Sequence, residues 1–219
     1  LGCALSWCLY DFMYYGTSFN QVAITTAVFG NSDALIDNCW QNVVLTSMGL
    51  PGVLAAIYLL KFWSSRKLQL VGFVVLVGPC LALAFAVRMQ APDGLKFVCF
   101  SCLVFALNFG PNVSTYCLPV EVFPTSVRAT YFGAAAGMGK FGALLGAGCF
   151  GPIQHHVGLD GVYFTCATVS LAGLLVTFWF VPVQTECNDA CGVDNEQHVT
   201  VDPLRVPLSN AVSSLHPEG

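Results

Sequence analysis

Of the chain's 219 residues, 56% are hydrophobic and only 9% are charged, against about 25% charged in soluble globular domains, and its mean hydropathy is +0.70. Such a composition excludes an ordinary soluble domain and marks an integral membrane protein. The net charge of −4, with much of the acid in roughly the last forty residues, leaves no basic surface for nucleic acid.

Six apolar segments, each near the ~20 residues that cross a hydrocarbon core, are predicted at about 3–29, 39–61, 68–89, 95–118, 128–151 and 160–182. Short polar connectors separate them, so the expected fold class is all-α integral membrane, a six-transmembrane-helix bundle over residues 1–182. The even count puts both ends on one side. Lys61, Arg66, Lys67 and Arg128 flank the second and fourth connectors, which makes that side cytoplasmic by the excess of Lys and Arg on inner loops. The apolar run begins at Leu1 with no initiator Met or charged lead, and the expectation is a chain that continues upstream. Past Pro182 the sequence turns polar and proline-bearing without periodicity, and 183–219 is expected to be a disordered cytoplasmic tail.

The first segment contains Asp11 inside an apolar run. A carboxylate at the bilayer centre costs about 2.5–3.5 kcal/mol on insertion scales, so it faces a protein interior or an aqueous cavity. At about 100° per residue, Trp7, Asp11, Tyr14, Tyr15 and Ser18 share one polar and aromatic face. Two readings are open at this point: an acid lying at headgroup level beside an interfacial aromatic belt, or a working acid in a cavity.

In the fourth segment Asn108 and Asn112 are one helical turn apart with Pro111 between them. Proline there is expected to kink the helix and free backbone carbonyls beside a ligand; asparagine pairs also simply hold membrane helices together. In the fifth, Gly133-x3-Gly137 and Gly142-x3-Gly146 predict close helix packing. Lys140 between them needs either a route to the interface or an anionic partner. Glu121 and Arg128 bracket a Phe-Pro turn, either as solvated loop charges or as a latch that holds two helices in one conformation.

Most of the eleven cysteines lie singly in apolar segments, where a thiol behaves as a small hydrophobe. Neither the Cys99/Cys102 and Cys187/Cys191 pairs nor the adjacent His155 and His156 suggest a metal site, and no cofactor is expected. No intramembrane Ser/His/Asp arrangement points to an enzyme.

Two stretches, RKLQLVGF after the second segment and EVFPTSVR after the fourth, resemble the cytoplasmic motifs of major facilitator superfamily transporters. Within that superfamily, Trp7-x3-Asp11-x3-Tyr15 followed by GTSFNQ, and the run from Asn108 to Ala143, are similar to the seventh, tenth and eleventh helices of phosphate:proton symporters. The paired glutamines and the tryptophan after Gly-Pro expected of sugar porters are missing, and the acidic residue expected before Arg66 is Ser65.

The resemblance implies the C-terminal half of a major facilitator fold, built as two inverted three-helix repeats and partnered by an N-terminal six-helix half. It further implies proton-coupled symport of inorganic phosphate by alternating access, in the plasma membrane. Trp7, Asp11, Tyr15, Asn112 and Lys140 become the phosphate-binding residues, Asp11 the proton carrier, and Glu121 and Arg128 parts of the inner gate. The alternatives are a transporter of another solute, such as a sugar or organic ion, and a non-transporting membrane fragment or receptor.

Overall fold

The computed structural model describes residues 1–29 and 35–182; the polar tail at 183–219 and part of the first connector lie outside these described residues. Among the described residues seven helices run in order: α1 (Gly2–Phe29), α2 (Leu35–Ser47), α3 (Leu50–Leu59), α4 (Ser65–Arg88), α5 (Asp93–Phe109), α6 (Pro111–Val122) and α7 (Thr125–Phe180). Four stretches of the described residues, Asn42–Leu59, Ser65–Arg88, Asp93–Val122 and Thr125–Phe180, are long and apolar enough to cross a membrane. Large apolar side chains such as Leu54, Leu144, Val98 and Phe178 are exposed on them, as a lipid-facing surface requires.

Two expected single helices are each broken, and proline and glycine are the reason. The 39–61 segment divides at Met48 and Gly49, just before Pro51 in the first turn of α3. The 95–118 segment divides at Gly110 (φ −126°, ψ −77°), and Pro111 opens α6. Proline has no N–H to give to the carbonyl four residues back.

The last two segments differ in the opposite direction. Their expected polar connector at 152–161 is helical on both sides of Gly158, which takes φ 88° and ψ 172°, a backbone geometry that only glycine adopts at little cost. The 56 residues of α7 would otherwise reach about 84 Å, far more than one ~30 Å hydrocarbon core. Gly158 breaks α7 into two helices.

Helix α1 lies along the first half of α7, and glycine sets the separation. A side chain on Gly142 would strike the backbone of Cys8, one on Gly146 the backbone of Phe12, and one on Gly139 the indole of Trp7. Phe150 fills the space that Gly16 leaves in the other direction. The expected packing pair Gly133 and Gly137 behaves differently, because both face open space within this chain. The main core, which includes Tyr10, Met13, Phe73, Leu76, Phe100 and Tyr163, joins α1 to α4, α5 and the second half of α7.

Candidate functional site

Packing against the glycines of α7 fixes which face of α1 looks inward. Trp7 is buried at 1% exposure because Gly139 lets its indole lie on the α7 backbone. Tyr116 of α6 and Phe132 of α7 meet that indole edge-on, with ring centroids 4.7 and 5.7 Å away.

One turn along α1, the side chain of Asp11 is 7% exposed and its Oδ2 lies 3.6 Å from Lys140 Nζ. Among the described residues that oxygen receives no hydrogen bond, while the Trp7 side chain is close enough to act on the carboxyl group. The ammonium donates a long hydrogen bond of 3.4 Å to the Tyr15 hydroxyl and lies 5.3 Å from the centre of the Tyr15 ring. Lys140 itself is 62% exposed. A buried acid therefore meets a cation whose other side is open, an arrangement suited to holding an anion beside a proton-exchanging group. Of the two readings of Lys140, an anionic partner is the one the geometry supplies.

Above this pair on α1, Tyr14, Thr17 and Ser18 line a cavity of about 160 Å³ that Thr46 and Asn108 close from the neighbouring helices. The aromatic and polar face of α1 is thus divided: Trp7 and Asp11 are packed inward, Tyr15 borders the open side, and Tyr14 lines the cavity.

The break at Gly110 has a different consequence from the expected one. The Leu107 carbonyl, which Pro111 leaves without a backbone donor, accepts a hydrogen bond of 3.1 Å from the Tyr10 hydroxyl. Protein, not ligand, satisfies it. Asn112 Nδ2 donates to Asn108 Oδ1 at 2.9 Å, and Asn108 Nδ2 donates to the Val104 carbonyl at 2.8 Å. The two amides bridge the break. Asn112 is one turn ahead of Tyr116, whose ring packs on Trp7.

Glu121 and Arg128 are not paired with each other among the described residues. Glu121 Oε1 accepts from the Ser65 hydroxyl at the first turn of α4, where the positive end of the helix dipole favours a carboxylate. Arg128 Nε donates to the Phe123 carbonyl at 3.0 Å, capping α6. Arg66 ties α4 to the end of α7 through the carbonyls of Val181 and Phe178, at 2.7 and 2.9 Å. Two polar residues to which the sequence reading gave no structural role, Ser65 and Gln69, connect helices. Gln69 is fully buried; it donates to Thr177 Oγ1 at 3.1 Å and accepts from Ser114 Oγ at 3.0 Å. Their only sequence signal is polarity within apolar helices. Cys99 and Cys102 are free thiols.

Residues 6–186 match the family model described as "Sugar (and other) transporter". The chain belongs to this family. It is accordingly a multi-pass membrane protein of the major facilitator superfamily. Among curated proteins similar to it, the chain is 35% identical over 182 residues to an inorganic phosphate transporter of Toxoplasma gondii, covering 83% of this chain and 32% of that protein. It is 32% identical to a repressible high-affinity phosphate permease of Neurospora crassa, with 73% of this chain and 29% of the permease covered. An inorganic phosphate transporter of Saccharomyces cerevisiae is 30% identical over 96% of this chain and 38% of its own length. The chain thus spans about a third of the length of the curated relatives it matches.

Proposed function

We propose that this chain is the C-terminal half of a proton-coupled inorganic phosphate symporter that works by alternating access. One observation carries the reading: the buried carboxylate of Asp11, with an oxygen that receives no hydrogen bond among the described residues, stands 3.6 Å from the open ammonium of Lys140. The similarity to phosphate transporters over most of this chain supports the choice of solute.

The chemistry follows from the two charges. When protonated, Asp11 donates a hydrogen bond to an incoming oxyanion and leaves Lys140 free to balance its charge. On losing the proton it repels the anion and claims Lys140, which favours release. Proton and solute therefore move in the same direction without a separate switch. Tyr15 supplies a further donor around the anion, Trp7, enclosed against α7, serves the pocket through the Asp11 carboxyl on which it acts, and Asn112 offers the amide hydrogen that Asn108 does not use.

In this reading residues 1–182 form the six-span unit, 183–219 the cytoplasmic tail, and both ends of the chain face the cytoplasm from the plasma membrane. An N-terminal six-helix half completes the pocket, with substrate near the bilayer midplane between the halves. Glu121, through Ser65, and Arg128, through Phe123, form the inner gate by holding the ends of α4, α6 and α7 together. The test is Asp11→Asn in the full-length protein, measured as phosphate uptake under an inward proton gradient. Proton-driven accumulation is expected to be lost; accumulation at the wild-type level would overturn the assignment.

A second reading rests on a glycerophosphoinositol permease of Candida albicans, 30% identical over 83% of this chain. There the solute would be a phosphorylated organic compound held by the same anion-binding groups. Competition by glycerophosphoinositol at concentrations where inorganic phosphate fails to compete would favour it.

A further inference from the structure

Tyr116 is half exposed, at 49%, although it sits in the middle of an apolar helix. Its ring packs edge-on against buried Trp7 at 4.7 Å and 64°. Its hydroxyl is within electrostatic reach of the Lys140 ammonium and of the Tyr10 and Tyr14 phenols, yet among the described residues it makes no hydrogen bond. Asn112 lies one turn earlier on the same helix. Tyr15 on α1 touches Lys140 directly, and Tyr116 on α6 stands beside Trp7, one turn of α1 from Asp11.

We propose that Tyr116 is a further substrate-contacting residue of this site, its hydroxyl donating to an oxygen of a tetrahedral oxyanion held against Lys140. The inference rests on the phosphate reading and adds to it a second ligand from α6, one turn beyond Asn112. A phenol is well matched to such a solute because its O–H donates to a charged oxygen while its own oxygen accepts from a solute hydroxyl. Packing alone would need only the ring.

That distinction makes Tyr116→Phe the decisive variant. In the full-length protein, with uptake normalised to the amount in the membrane, loss of one hydrogen bond to a charged oxygen is expected to raise KM for phosphate roughly tenfold. An unchanged KM would overturn the inference while leaving the phosphate reading intact, whereas a wild-type protein that takes up no phosphate would overturn both. A second measurement needs no substitution. Nitration of Tyr116 by tetranitromethane, followed by peptide mass spectrometry, is expected to slow several-fold in saturating phosphate. Exposed Tyr131, stacked on Phe123, serves as the unprotected control. Equal nitration of Tyr116 with and without phosphate would refute the contact.

Discussion

Removing Lys140 should cost more than the lysine's own contacts, because it leaves Asp11 charged and enclosed. At the observed 3.6 Å, two unit charges attract by about 1 kcal/mol at a water-like dielectric and by about 5 kcal/mol at an effective value near 20. Lys140 is 62% exposed and Asp11 only 7%, so solvent and salt screen one partner and pull the coupling toward the lower figure, about 2 kcal/mol or roughly thirtyfold in an equilibrium constant. The measurement is a double-mutant cycle of Lys140→Ala, Asp11→Asn and the two combined, read as unfolding free energies of the purified full-length protein in mixed micelles. Lys140→Ala should be the most damaging single change, since it strands a buried charge, and the double variant should be about 2 kcal/mol more stable than the sum of the singles implies. The coupling requires an ionised carboxylate, so it should be present at neutral pH and vanish as Asp11 takes up its proton on acidification. Additivity of the two substitutions within about 0.5 kcal/mol at neutral pH would show that the charges do not interact and would remove the electrostatic basis of the site.

Gly142→Ala should lower the unfolding midpoint, because its new methyl meets the Cys8 backbone, while Gly148→Ala, with open space at that position, should leave the midpoint unchanged or raise it; equal effects would refute the α1–α7 approach. Tyr10→Phe should cost about 1–3 kcal/mol by orphaning the Leu107 carbonyl. Pro111→Ala, which restores a backbone donor to that carbonyl, should reduce the penalty of Tyr10→Phe in the double variant, and no such rescue would contradict the role given to Tyr10. Gln69→Leu removes two hydrogen bonds between helices and should destabilise by roughly 1–3 kcal/mol, measured by the same unfolding titration; a neutral result would mean that Ser114 and Thr177 find other partners.

Much of this protein is determined locally and is legible in its sequence. A high apolar content with so few charges can be stable only across a lipid core, and in lipid the backbone must satisfy itself as helix. Asp11 stands out because an acid in such a run is costly, and the four-residue steps from Trp7 to Asp11 to Tyr15 place them on neighbouring parts of one helix face whatever surrounds them. The kinks are written locally as well, in Pro51, Pro111 and Gly158, although their effect on the helix count follows only from the backbone geometry each adopts.

Partnerships across the chain were decided by tertiary structure. Four glycines share the same four-residue spacing in pairs, yet Gly142 and Gly146 receive α1 while Gly133 and Gly137 do not, since periodicity specifies a stripe and not what lies against it. Glu121 and Arg128 bracket a turn, but each finds a nearer partner, in Ser65 and in the Phe123 carbonyl. Most of the site depends on the same kind of information: Lys140 reaches Asp11 and Tyr15, and Tyr116 reaches Trp7, only after the helices pack. A sequence pattern records which side chains share a helix face. The close approach of two helices, set here by glycines with no side chain to hold them apart, determines which faces meet.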